Sequence, residues 1–164
     1  MHIINDINGG SEELFKLTKK YNAGLFLMHK RGTPKEMQKK LNPRANMVKE
    51  FDKFIEKRLK ILKKMKFNLK KVWFDPGIGF GKTLNQNLQL MRSLSKYSHK
   101  NLQILLGSSR KSWINFIDPS NADQRIGGSL ASITHALQQN VNTFRIHDVQ
   151  ETNQMIKVLK ALNK

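Results

Sequence analysis

The chain has 164 residues, no cysteine and a formal net charge of +18, from 30 Lys and Arg against 12 Asp and Glu. This length is sufficient for a substantial core, and we predict a single domain over residues 1–164. The lack of cysteine excludes disulfide bonds and thiolate metal sites and is consistent with a cytoplasmic protein. No apolar run approaches the roughly 18 residues of a transmembrane helix, so we predict no membrane partner.

The positive charge suggests nucleic-acid binding as one hypothesis. Most of the basic residues are lysine, whereas arginine is the usual specific phosphate ligand. The lysines concentrate in residues 49–71, at positions between apolar residues with helical spacing. Such a pattern is typical of the solvated face of an amphipathic helix. We therefore predict no nucleic-acid partner.

Apolar segments that end in polar or glycine-rich residues predict five strands, at residues 3–7, 25–28, 72–75, 103–106 and 141–146. Between them, the sequence predicts a helix from Ser11, an amphipathic region to about residue 67 with a break at Asn42-Pro43, and helices from residue 84, over 113–117, over 123–139 and over 151–162. Strands that alternate with helices indicate an α/β protein with a parallel sheet.

Residues 72–83, VWFDPGIGFGKT, are the most informative stretch. The first four predict a short buried strand that ends near Asp75, because Pro76 cannot donate a ladder hydrogen bond. The glycines that follow allow backbone conformations closed to other residues and let a ligand approach closely. A carboxylate at the carboxyl end of a parallel strand is where α/β proteins carry their chemistry.

The end of this stretch, Gly81-Lys82-Thr83, also imitates the phosphate-binding P-loop, G-x-x-x-x-G-K-[ST]. The first glycine of that motif would fall on Pro76, so the spacing fails by one residue. The Asp75 carboxylate would also lie where a phosphate approaches. We therefore do not predict a nucleotide-binding P-loop.

Polar residues gather at the predicted carboxyl ends of the strands: Asn5, Asp6, Met28 with His29, Asp75, Ser109, Arg110, Lys111, Arg145 and His147. This distribution is typical of the active site of a (β/α)8 TIM barrel. The three cationic or imidazole groups Lys111, Arg145 and His147 indicate an anionic ligand. Asn5 and Asp75 suit a polar heterocycle with donors and acceptors.

These positions also have structural explanations. They are a turn for Asn5 and Asp75, packing for Met28 and Phe80, a helix cap for Ser109, and a pair with Asp148 for His147. Arg110 is a candidate for a structural ion pair, and we assign Arg31 and Lys82 to surface or loop charges. We assign structural roles to His2, His29 and His135, with His135 on a buried helix.

Five ordered motifs make the chain similar to the dihydropteroate synthases, the pterin-binding enzymes of folate synthesis and targets of sulfonamides. The motifs are Ile4-Asn5-Asp6-Ile7, residues 27–34 (LMHKRGTP), residues 75–83 (DPGIGFGKT), residues 107–112 (GSSRKS) and residues 145–149 (RIHDV), and residues 128–131 (GSLA) also fit. The resemblance covers nearly the whole chain. It implies a TIM-barrel pterin-binding domain, here as five βα units of an incomplete barrel.

The family joins 4-aminobenzoate to 6-hydroxymethyl-7,8-dihydropterin diphosphate, so the resemblance implies a transferase with small-molecule substrates. It places the pterin at Asn5, Met28, Asp75, Phe80, Gly107 and Lys111, the 4-aminobenzoate at Phe80, Ser109 and Lys111, and the diphosphate at Arg145 and His147. Asp75 and Lys111 are the implied catalytic residues. Asp75 would stabilise the cationic character that develops on the pterin as the methylene–oxygen bond breaks.

The chain departs from the family pattern at its amino-terminal side, because the first three family strands have no counterpart in it. Those strands carry the metal-binding asparagine, so the resemblance implies Mg²⁺ as cofactor but no metal ligand in this chain. It also implies a homodimer. Met1 abuts the segment that corresponds to the fourth family strand, as if an internal methionine had been taken as a start.

Three hypotheses follow: the carboxyl-terminal part of a dihydropteroate synthase, a non-catalytic pterin-binding remnant or subunit of a split enzyme, and a pterin-dependent methyltransferase. Residues 108–111 and the pair Arg145 and His147 argue against the third. We expect the chain alone to be inactive, since five strands leave two open sheet edges and an exposed inner face. We expect that face to carry Ile3, Ile4, Phe26, Phe74, Leu105 and Phe144.

Overall fold

The computed structural model describes residues 1–32, 41–100 and 102–163. Its five strands are β1 (Ile3–Asp6), β2 (Gly24–Met28), β3 (Val72–Asp75), β4 (Gln103–Leu106) and β5 (Thr143–Phe144). All neighbouring strands are parallel, in the order β1-β2-β3-β4-β5. The sheet curls into a half-barrel, which confirms the predicted α/β class and the incomplete TIM-barrel architecture.

The helices are α1 (Glu12–Lys20), α2 (Met47–Lys64), α3 (Leu84–Arg92), α4 (Ser95–Ser98), α5 (Ser112–Asn115), α6 (Ile126–Gln138) and α7 (Val149–Leu162), with 3₁₀ turns at Leu69–Lys71 and Ala122–Gln124. Ser11 caps α1 as predicted, because its side chain accepts a hydrogen bond from the Leu14 amide. Strand β5 is shorter than predicted, since only Thr143 and Phe144 pair with β4 within the described sheet. Thr33 and Pro34 of the second motif lie outside the described residues.

The outer face of the sheet packs against the helices and contains most of the core. Phe74 is 1% exposed, and its ring lies 6.4 Å from that of Phe54 on α2. Ile4 and Phe144 also pack against this helix-side core. The prediction that Phe74, Ile4 and Phe144 belong to the inner face was therefore wrong. The strand register puts their neighbours on the inner face instead.

Along each strand, residues of the inner face alternate with residues that pack in the core. On β2 and β3, Phe26 pairs with Trp73 and Met28 pairs with Asp75, and the Phe26 and Trp73 rings meet edge to face at 5.3 Å. Ile3 is 40% exposed on β1, the first strand of this sheet. The strands are all parallel, so the inner residues at their carboxyl ends lie together at one open end of the half-barrel.

Helix α2 carries seven of the 30 basic residues. Its buried side includes Phe51, Ile55 and Leu62, whereas Lys53, Lys57 and Lys60 are exposed. This arrangement confirms the predicted solvated lysine face. Among the helices that the structure describes, none combines the length and the apolar character needed to cross a membrane.

Candidate functional site

Asp75 lies at the end of β3, where the chain turns sharply into residues 76–83. Its side chain is 2% exposed, and its Oδ1 accepts a hydrogen bond from the Gly77 amide at 2.7 Å. Gly77 has a φ of +63°, and a Cβ at this position would overlap the His29 carbonyl oxygen. Only glycine fits this turn without strain. The turn thus fixes one carboxylate oxygen at the open end of the sheet.

Lys111 reaches this turn from the loop after β4. Its Nζ donates a hydrogen bond to the Ile78 carbonyl at 2.6 Å and lies 4.6 Å from the centre of the Phe80 ring. Burial lowers the pKa of Lys111 to about 8, although the nearby Asp75 carboxylate opposes this shift. The loops after β3 and β4 therefore meet through a cation, a carbonyl and an aromatic ring.

The charge of Asp75 is balanced by its surroundings. Complete burial raises the pKa of this carboxyl above its ordinary value, because an ionised group loses hydration. Lys111, the Gly77 amide, Arg145 and Lys82 oppose the shift by stabilising the carboxylate, in that order of size. The site is thus a buried acid surrounded by cations, a pattern enriched in functional sites.

Lys82 lies in a loop but is buried, so the surface alternative of its prediction was wrong. It is 3% exposed, and its Nζ donates hydrogen bonds to the carbonyl oxygens of His29, Gly77 and Phe80 at 3.1, 2.9 and 3.0 Å. Burial lowers its pKa to about 7. A lysine is stable in this buried position because three converging carbonyls match the three N–H donors of its ammonium.

Arg145 lies beside Gly107 at the ends of β5 and β4. Its amide donates to the Leu106 carbonyl at 3.0 Å, which extends the pairing of the two strands. A Cβ on Gly107 would lie 3.2 Å from Arg145 Nη2, so the guanidinium passes directly over the glycine. Arg145 is exposed towards the open end. Its cationic fork is therefore available to an anion in the half-barrel.

Ser109 and His147 contact each other across the same two loops. The Ser109 Oγ lies 3.0 Å from His147 Nδ1, and the His147 amide approaches this oxygen at 3.4 Å. Ser109 is 3% exposed, whereas His147 is exposed. Ser109 does not cap α5, since no side-chain cap bond is formed there. Two predicted site residues, 38 positions apart, are thus brought together.

The loop after β4 is tied down by an ion pair. Arg110 contacts Asp148 through two hydrogen bonds, one of them from Nε to Oδ2 at 3.0 Å. This confirms the predicted structural role of Arg110 and shows that Asp148 pairs with it rather than with His147. The pair raises the pKa of Arg110 and lowers that of Asp148, chiefly through the hydrogen bonds.

Two residues that were not predicted as site residues support this loop. The Arg110 amide donates to Ser129 Oγ at 2.9 Å, and Arg125 Nη1 donates to the Arg110 carbonyl at 3.0 Å. Gly128 packs close to α5, because a Cβ there would lie 2.7 Å from Ile114. The GSLA motif, residues 128–131, was the one sequence signal for this support.

A model of the pterin-binding enzymes matches residues 1–147. The chain belongs to the pterin-binding enzyme family. It is 35% identical over 162 residues to a dihydropteroate synthase of Escherichia coli, covering 98% of this chain and 57% of the relative. It therefore spans little more than half the length of that relative.

Solved structures give the same result. A Yersinia pestis dihydropteroate synthase with a sulfonamide drug complex superposes with a TM-score of 0.90 at 32% identity, over 99% of this chain and 59% of that one. A Thermus thermophilus dihydropteroate synthase in complex with 4-aminobenzoate gives 0.88 at 30% identity, over 99% and 66%. The half-barrel of this chain is thus similar to a part of each of those two structures.

Two pterin contacts implied by the family, Met28 and Asn5, lie on the inner face. Met28 is 2% exposed and is the register partner of Asp75. Asn5 pairs with Phe26 in register, which puts it on the same face, but it is exposed. Two strand spacings separate it from β3, roughly 10 Å across the sheet. Asn5 and Asp75 therefore lie on either side of β2 on the inner face.

The remaining polar candidates take structural or surface positions. His29 is buried between Phe51 and Phe54, and burial, with Lys82 and Arg31 as further causes, lowers its pKa to about 3. Arg31 pairs with Glu50 at 3.3 Å. His135 is exposed on α6, so its predicted burial was wrong. It lies outside the face of α6 that packs inwards.

The described residues do not form a ligand set for the metal that the family implies. Within residues 1–32, 41–100 and 102–163, no three His, Asp or Glu side chains converge as a metal site would require. The described residues therefore offer Mg²⁺ no such cluster of protein ligands, and no chemical step is assigned to the ion.

Proposed function

We propose that this chain supplies the pterin, 4-aminobenzoate and diphosphate contacts of a dihydropteroate synthase. In that reaction the amine nitrogen of 4-aminobenzoate attacks the methylene carbon of 6-hydroxymethyl-7,8-dihydropterin diphosphate. The methylene–oxygen bond breaks and its electron pair leaves with the diphosphate. A carbon–nitrogen bond forms, the amine loses a proton, and the products are 7,8-dihydropteroate and diphosphate.

The observation that carries this proposal is the buried Asp75 carboxylate facing Lys111 at the open end of the half-barrel. A carboxylate accepts hydrogen bonds from adjacent N–H groups, which a pterin offers along one edge. Its negative charge also stabilises a cation that develops on the ring as the methylene–oxygen bond breaks. Lys111 stabilises this carboxylate and lies over the Phe80 ring, so the two side chains would bound the reacting end of the pterin.

The second half of the site suits the anionic groups of the substrates. Arg145 carries the guanidinium fork that matches phosphate oxygens, and His147 supplies an imidazole nearby in sequence. Ser109 would bind the carboxylate of 4-aminobenzoate, and since it contacts His147 the two anion subsites would lie side by side. Diphosphate departure would then be stabilised at the opposite end of the breaking bond from Asp75.

Further parts of the proposal come from the family. We propose Mg²⁺ as the cofactor, with ligands other than the described residues of this chain, and a cytoplasmic homodimer as the working form. The methyltransferase alternative is disfavoured by the Ser109–His147 pair beside Arg145, which suits an anionic leaving group.

The proposal is tested by calorimetric titration of the chain with 4-aminobenzoate, with and without 6-hydroxymethylpterin and pyrophosphate. We expect 4-aminobenzoate to bind only when both partners are present, because they complete its pocket. Binding that ignores pyrophosphate would contradict the assignment of Arg145 and His147. Pterin binding without any diphosphate-dependent 4-aminobenzoate binding would instead support a non-catalytic remnant.

Turnover is a separate measurement. We expect no dihydropteroate from the 164-residue chain with Mg²⁺, because Asn5, Arg145 and His147 are exposed and water reaches the site. A rate typical of enzymes of this kind, on the order of 1 per second or more, would overturn that expectation.

A further inference from the structure

Lys82 is the most unusual buried charge in the described chain that the proposed chemistry does not use. Its side chain is 3% exposed, and no ion pair with a carboxylate is formed at its ammonium among the described residues. The three Nζ donors instead reach the carbonyls of His29, Gly77 and Phe80. A buried charge is costly, so a lysine at this position calls for a specific explanation.

The three carbonyls belong to two loops that carry site residues. His29 follows β2 directly after Met28, and its amide donates to the Asp75 carbonyl at 2.8 Å. Gly77 donates its amide to the Asp75 carboxylate, and the Phe80 ring faces Lys111. One ammonium therefore connects the segment beside Met28 with both ends of the turn that bears Asp75 and Phe80.

Other hydrogen bonds also hold this turn, among them those from Lys111 Nζ to the Ile78 carbonyl and from the Gly77 amide to Asp75. Gly77, Gly79 and Gly81 all have positive φ values, so three of its residues have wide backbone freedom. Within the turn, Phe80 donates its amide to the Gly77 carbonyl at 3.1 Å, and the Gly79 amide donates to Asn87 Oδ1 at 2.8 Å. Thr83 then caps α3, which anchors the residue after Lys82. The three hydrogen bonds of the Lys82 ammonium add to these contacts and connect the turn to the segment after β2.

We propose that Lys82 is a positioning residue, which binds no substrate itself and holds the Asp75 turn against the β2 exit so that Asp75 and Phe80 face a bound pterin. This inference rests on the proposed function, since it assigns the turn to the pterin site. Replacing the ammonium leaves three inward-facing carbonyls without their common donor. The turn then samples other conformations, and the carboxylate loses its fixed orientation.

The test compares Lys82→Met with Lys57→Met, the same change at an exposed lysine of α2. The probe is 6-hydroxymethylpterin, titrated by fluorescence at pH 6.5, and folding of each variant is checked by circular dichroism. We expect the dissociation constant to rise at least tenfold in folded Lys82→Met and to stay within twofold in Lys57→Met. A merely structural lysine would lower the unfolding midpoint and leave the affinity of the folded protein unchanged.

A rescue experiment distinguishes the ammonium from the side-chain volume. The chain has no cysteine, so Lys82→Cys can be aminoethylated at that one thiol in denaturant and then refolded. The product carries an ammonium on a chain of lysine length. We expect it to bind the pterin within threefold of the wild type, whereas the unmodified cysteine variant binds as weakly as Lys82→Met. Equal affinity of the two forms would overturn the proposal.

Amide hydrogen exchange separates failure of this inference from failure of the proposed function. If the wild type binds no pterin, the proposed function fails. Hydrogen exchange alone then tests whether Lys82 holds the Asp75 turn in position. We expect exchange of the Gly77 and Phe80 amides to accelerate at least tenfold in Lys82→Met and not in Lys57→Met. Unchanged protection of these amides would show that Lys82 does not position the turn.

Discussion

The Ser109 hydroxyl lies 3.0 Å from His147 Nδ1 and joins the loops after β4 and β5. The proposed function assigns one residue to a carboxylate and the other to a diphosphate, so this contact would couple the binding of the two anions. The Arg110–Asp148 ion pair connects the same two loops one residue further on. The end of the site away from Asp75 is therefore formed by two loops that contact each other.

The first prediction concerns this contact. Ser109→Ala removes the hydroxyl and leaves the His147 ring free to turn, so we expect diphosphate-dependent 4-aminobenzoate binding to weaken about tenfold, as for loss of a hydrogen bond to a charged group. Calorimetry measures this change in the affinity for 4-aminobenzoate. Binding of 6-hydroxymethylpterin alone serves as the internal control and should change less than twofold. Equal losses for both ligands would indicate a general disruption of the loop.

The second prediction concerns the Asp75 turn. Gly77→Ala forces a side chain into a left-handed conformation and against the His29 carbonyl, so we expect a loss of about 2–4 kcal/mol in the free energy of unfolding. Gly127→Ala is the matched control, because nothing lies within 4 Å of its added Cβ and it lies within α6. Helix propensity predicts that this control stabilises the chain by up to about 1 kcal/mol.

Urea denaturation at neutral pH measures both glycine variants. Similar stabilities for Gly77→Ala and Gly127→Ala would show that the turn adopts another conformation in solution. A large loss in Gly127→Ala would show instead that α6 packs more closely there than the structure describes.

The third prediction is a pH dependence of stability caused by Lys82. Its pKa is about 7 in the folded chain and near 10.5 when unfolded. Between these values the unfolded chain binds a proton that the folded chain lacks, so stability rises with pH, by at most about 1.4 kcal/mol per unit. The difference in unfolding free energy between the wild type and Lys82→Met should therefore rise with pH over this window. A difference that is flat from pH 7 to 10 would refute the shift.

The fourth prediction is a pH dependence of pterin affinity. In the proposed site the ionised Asp75 carboxylate would accept the ring hydrogen bonds, and burial raises its pKa above the ordinary value of 3.8. Affinity should therefore fall as the pH is lowered through this raised pKa, at a higher pH than for an exposed aspartate. Asp75→Asn cannot titrate, and its weaker affinity should be independent of pH over the same range. A parallel fall in the variant would assign the effect to another group.

Much of the site could be predicted from the sequence because it depends on local patterns. Short apolar segments ending in polar residues located the strands, and the carboxyl ends of parallel strands lie at one edge. Asp75, Ser109 and Arg145 were found in this way, and each lies where its strand ends. The order of the motifs then indicated the family.

The burial of Lys82 could not be predicted, since no local pattern distinguishes a surface lysine from one that meets three carbonyls from two loops. The inner and outer faces of β3 were also misassigned. Its apolar residues, Val72 to Phe74, show no alternation, so the sequence does not tell whether Trp73 or Phe74 faces the helices. The contact of Ser109 with His147 depends on the β4–β5 register, which is a property of the folded sheet.

Titration of the chain with 6-hydroxymethylpterin is the most direct test that Asp75 anchors a pterin. The wild type is compared with Asp75→Ala and with Asp118→Ala, which removes an exposed carboxylate of the loop after α5. We expect saturable binding at one site, unchanged in Asp118→Ala and at least thirtyfold weaker in folded Asp75→Ala. Wild-type affinity in Asp75→Ala, or no saturable binding to the wild type, would contradict it.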